Sequence, residues 1–261
     1  GISPKKLDII VVGTSTADML SPSAACILQH RLGAQNAVAF DVNAACPGFI
    51  YGLGIAQKFM QDGSHQHGLV VGGEIISNRI DYKDRSTCVL FGDGAGAVVL
   101  GHSAGKKDGE ILTTHLHSDG NLWTLLHVPG GGSRIPPSHQ MLNEGLQYVK
   151  MQGNEVYKYA VRTMVDVARK AMKSKGITTD QIDWFIPHQA NIRIMEVVAE
   201  RLGIPLEKVI VTVHKYGNTS AASIPTALDE GVRSGQIQRG DLVLANSFGA
   251  GFTWGAALFR Y

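Results

Sequence analysis

Three residues of this chain have side chains suited to thioester chemistry, and each stands at the same kind of place. Cys46 lies in DVNAACPGFIYGL, His188 in IPHQANIRIM and Asn218 in HKYGNTSAASIP. Each motif reads as an apolar strand or turn that delivers one polar residue to the start of a helix. A thiol can attack a thioester and carry the acyl group. An imidazole and a carboxamide can donate hydrogen bonds to a developing oxyanion. This set points to an acyl-transferring enzyme that forms carbon–carbon bonds.

Taken singly, each residue has a plainer reading. Pro47 after Cys46 suits the first helical position, which places the thiol at the cap of the helix FIYGLGIAQKFM, where the positive helix end favours thiolate. A free cysteine there is equally a small buried hydrophobe. His188 is equally a hydrogen-bonded turn residue, and Asn218 equally a helix cap. Cys26, inside an apolar helical pattern, and Cys88, inside the expected strand TCVLF, keep the packing reading.

The elements that must position the three residues repeat along the chain. Residues 1–101 open with GISPKKLDIIVVG, and residues 176–261 open with GITTDQIDWFIPH. Both continue with a helical pattern ending in Leu-Gly, at Gly33 and Gly203, and then a strand, AVAFDV or KVIVTV. Cys46 stands 13 residues past Gly33, and Asn218 stands 15 past Gly203. A helix follows each, ending near Gly63 and Gly235, and then come the strands GLVVGGE and DLVLANSF and the Gly-rich strands GDGAGAVVL and GAGFTWGAALF. Nearly continuous apolar runs such as Ile9 to Val12 mark buried central strands. Val156, Ala160, Met164, Val167 and Ala171 recur at helical spacing over 154–174. A duplicated α/β unit is the expectation, with halves at 1–105 and 106–261. Packing about a pseudo-twofold axis would bring Cys46 and Asn218 face to face, with His188 joining from a strand. Strand 111–117 and helix 154–174 precede the second repeat, so a strand and one or more helices are expected ahead of the first.

Composition narrows the class. The chain has 261 residues, 44% of them hydrophobic, with a formal net charge of +2, which gives nucleic-acid binding no support. No apolar run of roughly 18 residues suggests a membrane span. Three cysteines without paired spacing fit a reducing cytoplasm. His115 and His117 share a strand face, but no third ligand stands at useful spacing, so no metal is expected. GDGAGAVV lacks the Lys-Ser/Thr of a phosphate loop, and its glycines read as sites of close packing. GGGS at 130–133, before Pro136 and Pro137, reads as a surface loop.

GDGAGAVVL, PHQANIRI, KYGNTSAASIP and FGAGFTWGAAL, in this order, resemble the thiolase superfamily, specifically β-ketoacyl-acyl-carrier-protein synthase III, from Gly1 to Tyr261. The resemblance implies a five-layered α-β-α-β-α fold, a homodimer and fatty-acid initiation by a decarboxylating Claisen condensation. Cys46 would take the acyl group from acyl-CoA. His188 and Asn218 would then stabilise the enolate from malonyl-acyl-carrier-protein. Backbone N–H groups of Cys46 and Ala250 would hold the tetrahedral oxyanion. CoA enters as substrate, and decarboxylation supplies the carbanion, so no metal or redox cofactor is implied.

By the same matching, Arg85 would pack on the CoA adenine, and Gly153, Asn154, Ala190 and Asn191 would line the pantetheine tunnel. Ser21, Ile76 and Phe91 match acyl-pocket positions. Gln189 and Arg193, with Lys158 nearby, match the carrier-protein docking patch. Ser21 stands where many members carry Phe, which implies room for a longer or bulkier acyl group. Pro47 and Ala250 are further departures, and the N-terminal piece that helps bind CoA is missing from the match. Two alternatives follow: a condensing enzyme of secondary metabolism using a longer or aromatic acyl-CoA, and a catalytically silent or truncated structural partner. A biosynthetic thiolase is disfavoured, because the FGAGF region lacks a second cysteine.

Overall fold

The computed structural model describes residues 1–102 and 109–261. The boundary expected between 105 and 106 lies outside the described residues. Runs free of charge become the inner strands, and Ile9–Gly13 (β1) is buried along its whole length. α1 (Ala24–Leu32) is capped by the Ser23 hydroxyl, and β2 (Val38–Val42) follows it. Then come α2 (Gly48–Met60), β3 (His67–Glu74), β4 (Gly94–Gly101) and β5 (Glu110–Ser118). A short ribbon of β6 (Leu126–His127) and β7 (Lys150–Met151) flanks α3 (His139–Asn143). The long α4 (Gly153–Ser174) leads to β8 (Trp184–Pro187), α5 (Ile192–Leu202) and α6 (Val213–Tyr216). α7 (Ser223–Arg233), β9 (Leu242–Gly249) and β10 (Thr253–Arg260) complete the chain.

The repeat is real in three dimensions. One sheet has the order β2-β1-β3-β4 and the other β5-β10-β9-β8. β1 runs parallel to β3 as β8 does to β9, and β4 returns antiparallel to β3 as β10 does to β9. Both Leu-Gly endings are left-handed helix stops, with φ 68° at Gly33 and 72° at Gly203, a conformation open to glycine without Cβ strain.

Five layers result. Phe49, Ile50, Leu53 and Ala56 of α2, with Ile224, Ala227 and Leu228 of α7, share one core with Ile9, Val11 and Val70 of the first sheet and Ile186, Val243 and Ala257 of the second. The two central helices are therefore sandwiched between the sheets. α1 covers the outer face of the first sheet, and α4 with α5 covers that of the second. Gly96 of GDGAGAVVL is where α7 lies on β4. A Cβ there would stand 2.9 Å from the backbone of Pro225.

Two expected strands are different in the structure. KVIVTV yields only an isolated bridge between Val209 and Phe185. The Gln189 side chain takes the N–H groups of Thr212 and Val213 and donates to the carbonyl of Ile210, which replaces a strand neighbour. TCVLF, with Cys88, is a chain of turns. There Asp84 accepts from the Ser86 N–H and the Thr87 hydroxyl, holding the segment out of extended geometry.

Candidate active site

The segment Asn218 to Ser223 is the hub of the site. Its first anchor is a short parallel bridge to the other half. Asn218 N–H donates to the Leu90 carbonyl at 2.8 Å, and Gly92 N–H donates to the Asn218 carbonyl at 3.0 Å. The Asn218 carboxamide oxygen accepts from Ser220 N–H at 2.8 Å. That fixes the amide flip and leaves Nδ2 as the outward end, with no protein partner among the described residues. Two residues on, Ser220 Oγ lies 3.5 Å from Cys46 Sγ. Three further on, Ser223 Oγ lies 2.7 Å from His188 Nδ1. One short turn thus ties carboxamide, thiol and imidazole together across 174 residues of sequence.

His188 continues β8, and its N–H donates to the Asn246 carbonyl of β9 at 2.8 Å. With Nδ1 on Ser223, Nε2 faces the site without a protein partner among the described residues. Burial alone pushes the imidazole down to about 3, so it is neutral near pH 7.

Cys46 sits in the turn before α2, whose cap is Pro47, one residue later than the sequence reading placed it. It is 9% exposed. Burial opposes the expected thiolate. Burial pushes the thiol up to about 12, and the charge of Glu74 adds to it; a Ser220 hydroxyl turned to donate to the sulfur would pull the other way. Neither Cys46 N–H nor Ala250 N–H has a backbone partner among the described residues. Gly249 lies directly against the Cys46 turn.

Glu74 and Ser220 are site residues that motif reading missed. Glu74 ends β3 and is buried. Its carboxylate accepts from Ser15 N–H at 3.2 Å, from Thr16 Oγ1 at 2.6 Å and from Ser220 Oγ at 3.0 Å. Burial raises its carboxyl above the usual range against the pull of these donors. A sequence signal existed: a single carboxylate closes the otherwise uncharged run GLVVGGE.

Two concavities flank this region. One of 320 Å³ is lined by Asn43, Ala44, Ala45, Trp123, Leu126, His127, Ala250, Gly251 and Thr253, beside the Cys46 turn. A larger one of 520 Å³, between β4 and α7, touches Asp93, Tyr216 and Arg233 but none of Cys46, His188 and Asn218. Neither lining includes the three side chains themselves, but the smaller one adjoins the Cys46 turn through Ala44 and Ala45 and reaches Ala250.

Residues 40–120 match the family model for 3-oxoacyl-[acyl-carrier-protein] synthase III, and residues 172–261 match the model for its C-terminal part. A β-ketoacyl-[acyl-carrier-protein] synthase III of Alkalilimnicola ehrlichii is 51% identical over 261 residues, covering 100% of this chain and 79% of the relative. The chain belongs to the β-ketoacyl-acyl-carrier-protein synthase III family. The crystal structure of a synthase III from Aquifex aeolicus superposes with a TM-score of 0.91 at 46% identity, covering 100% of this chain and 79% of that one. The priming β-ketosynthase of the R1128 polyketide pathway superposes at 0.89 with 38% identity, covering 100% and 77%. The five-layered thiolase-like fold is that of these synthase III structures.

The remaining synthase III positions scatter in their surroundings. Phe91 forms the bridge to Asn218, and Ile76 is buried just past Glu74, yet neither lines the 320 Å³ cavity. Ser21 and Arg85 lie on exposed turns, and Gly153 and Asn154 are exposed at the start of α4. Asn191 caps α5 through its side-chain oxygen, and Ala190 is half-buried before it. Arg193 is exposed on α5. Lys158 is exposed and paired with Glu155 at 2.7 Å, so its charge is partly answered on its own helix.

Gln189 does not belong to a docking surface. It is 1% exposed, and both ends of its amide are spent on the main chain. It is a buried staple beneath His188. His115 and His117 share β5, but no group of three His, Cys, Asp or Glu side chains among the described residues is placed to hold a metal.

Proposed function

We propose that this chain catalyses the decarboxylating Claisen condensation of an acyl-CoA with malonyl-acyl-carrier-protein, the step that starts a fatty-acid chain. The observation that carries it is the 218–223 turn, which hydrogen-bonds the Cys46 sulfur through Ser220 and the His188 ring through Ser223, with Asn218 at its head. In the first half-reaction the Cys46 sulfur attacks the thioester carbon. The carbon–sulfur bond to CoA breaks, and CoA leaves as the free thiol, carrying the proton Cys46 gives up. The thioester carbonyl of the malonyl group then lies against His188 Nε2 and Asn218 Nδ2. A neutral imidazole donates one hydrogen bond there without a competing charge. The carbon–carbon bond to the carboxylate breaks, CO2 departs, and its electron pair forms the enolate. The enolate carbon attacks the acyl-Cys46 carbonyl, whose oxyanion rests on the N–H groups of Cys46 and Ala250. Collapse breaks the carbon–sulfur bond to Cys46, releases the β-ketoacyl product and leaves a thiolate that takes a proton from solvent to restore the thiol.

The 320 Å³ cavity beside the Cys46 turn is the space into which the acyl group extends. A longer acyl chain is the second reading, favoured by Ser21, whose short side chain stands on an exposed loop next to Leu20, 96% exposed. That loop and the outer strand β2, with Val38 47% exposed, support a homodimer built across this face. Arg193 is the cation proposed to meet an acidic carrier protein, Arg85 to meet CoA, and Gly153, Asn154, Ala190 and Asn191 to border the pantetheine arm. Three free thiols suit a reducing cytoplasm, and no helix among the described residues is long and apolar enough to cross a membrane.

Intact-protein mass measurement after incubation with an acyl-CoA panel tests the reading. One acyl increment on the wild type, mapped to Cys46 and absent in Cys46→Ser, is expected. An unlabelled wild type favours a silent partner, and an increment only with long or aromatic acyl groups favours secondary metabolism.

A further inference from the structure

Among the described residues Glu74 is the only buried carboxylate, and the condensation proposed above uses neither its charge nor its proton. No lysine or arginine pairs with it among the described residues. Hydroxyl and amide groups surround it instead: Ser15 N–H and Oγ, Thr16 Oγ1 and Ser220 Oγ. The last of these is the link to chemistry. A serine has one hydroxyl proton, and Ser220 has two acceptors, Glu74 Oε1 at 3.0 Å and Cys46 Sγ at 3.5 Å. The Glu74 oxygen is the closer partner, and Ser15 and Thr16 also donate to that carboxyl group, so it is the acceptor that takes the proton. The Ser220 oxygen then turns its lone pairs toward the sulfur.

We propose that Glu74, acting through Ser220, is a positioning residue that holds resting Cys46 as a neutral thiol with its S–H on Ser220 Oγ. The assignment rests on Cys46 being the acyl carrier. Ser220 is held rigidly for this task. Its N–H is on Asn218 Oδ1 at 2.8 Å, and its φ of 52° is left-handed, rare outside glycine. Gly13 at the end of β1, Gly249 at the end of β9 and the 220–222 turn pack around the Cys46 segment. Glu74 is the carboxyl group that acts on the sulfur, and His188, neutral, reaches the same turn through Ser223. Hydrogen bonding to the neutral form resists ionisation. The nucleophile is thereby kept aimed and unreactive toward stray electrophiles until a thioester replaces the S–H contact.

The S–H stretching band in Raman spectra reads the bond directly, with Cys46→Ser identifying the band. In the wild type it lies at the low frequency of a hydrogen-bonded thiol. Ser220→Gly, which suits the left-handed backbone, moves it to the free-thiol position, and Glu74→Gln moves it part of the way. In the S220G background, E74Q moves it no further. Alkylation of Cys46 by iodoacetamide, mapped by peptide mass at about pH 8, becomes about tenfold faster in S220G, the change for one pH unit in thiol ionisation. A free-thiol band in the wild type, a band unmoved by S220G or slower alkylation in S220G overturns the assignment. A full E74Q shift in the S220G background overturns the relay through Ser220. If E74Q fails to fold, the direction of the S220G change still decides. Absence of an acyl increment on Cys46 would instead defeat the condensation reading and leave the band shifts standing.

Discussion

Gly249→Ala tests the oxyanion geometry with one added methyl. A Cβ at this position would stand 2.8 Å from Cys46 N, 2.8 Å from Pro47 Cδ and 3.0 Å from Cys46 Cβ. None of these atoms ends a flexible side chain, so the Cys46 turn itself must move. Overpacking of this kind costs about 1–3 kcal/mol, and at roughly 2–4 °C per kcal/mol for a chain of this size Tm falls by about 2–12 °C. The catalytic effect is larger, because the displaced turn carries an N–H proposed to hold the tetrahedral oxyanion. Loss of one such donor costs about 2.7–4 kcal/mol, or roughly 10² to 10³ in rate. The donors proposed for decarboxylation, His188 Nε2 and Asn218 Nδ2, lie on other elements. Single-turnover experiments on the preloaded acyl-enzyme, following labelled CO2 and β-ketoacyl product separately, should show condensation falling by that factor with CO2 release largely retained. Equal loss of both, or G249A condensing at the wild-type rate, would refute the division of labour between the two donor sets.

Acid sensitivity should trace to His188. Its folded pKa, about 3, lies below the ordinary 6.5, so the unfolded chain binds a proton that the fold excludes. The resulting stability is full above about pH 6.5 and declines as pH falls toward 3; Tm measured against pH should decline less steeply in His188→Asn. Gln189→Ala strips four main-chain groups of their partner, at about 1–3 kcal/mol for each left buried and unpaired, so thermal unfolding should show a large Tm loss. Arg193→Ala should leave Tm unchanged and raise KM for the carrier-protein substrate, with the difference vanishing at high salt; an unchanged KM would remove Arg193 from the docking surface.

The convergence of Cys46, His188 and Asn218 on the 218–223 turn is legible in the sequence because each is a polar residue at the mouth of a helix inside a repeated frame. The Leu-Gly stops were legible because a left-handed helix end favours glycine, and both are left-handed. Glu74 was not, because its meaning comes from Ser15, 59 residues away, and Ser220, 146 residues away. Gln189 departs from the docking expectation for a related reason: a polar residue beside His188 looks exposed, whereas its amide stands in for a strand that KVIVTV does not form. Burial of Cys46 opposes the thiolate expectation, and local sequence around a helix start does not report burial.

The sulfur belongs to the first repeat, while the side chains proposed to serve it, His188, Asn218 and Ser220, belong to the second. Hybrid proteins joining two relatives between β4 and β5 would therefore mate a thiol from one lineage with attendants from another. Gene exchange across that junction would be judged by turnover, and the two parts of the chain must drift in step.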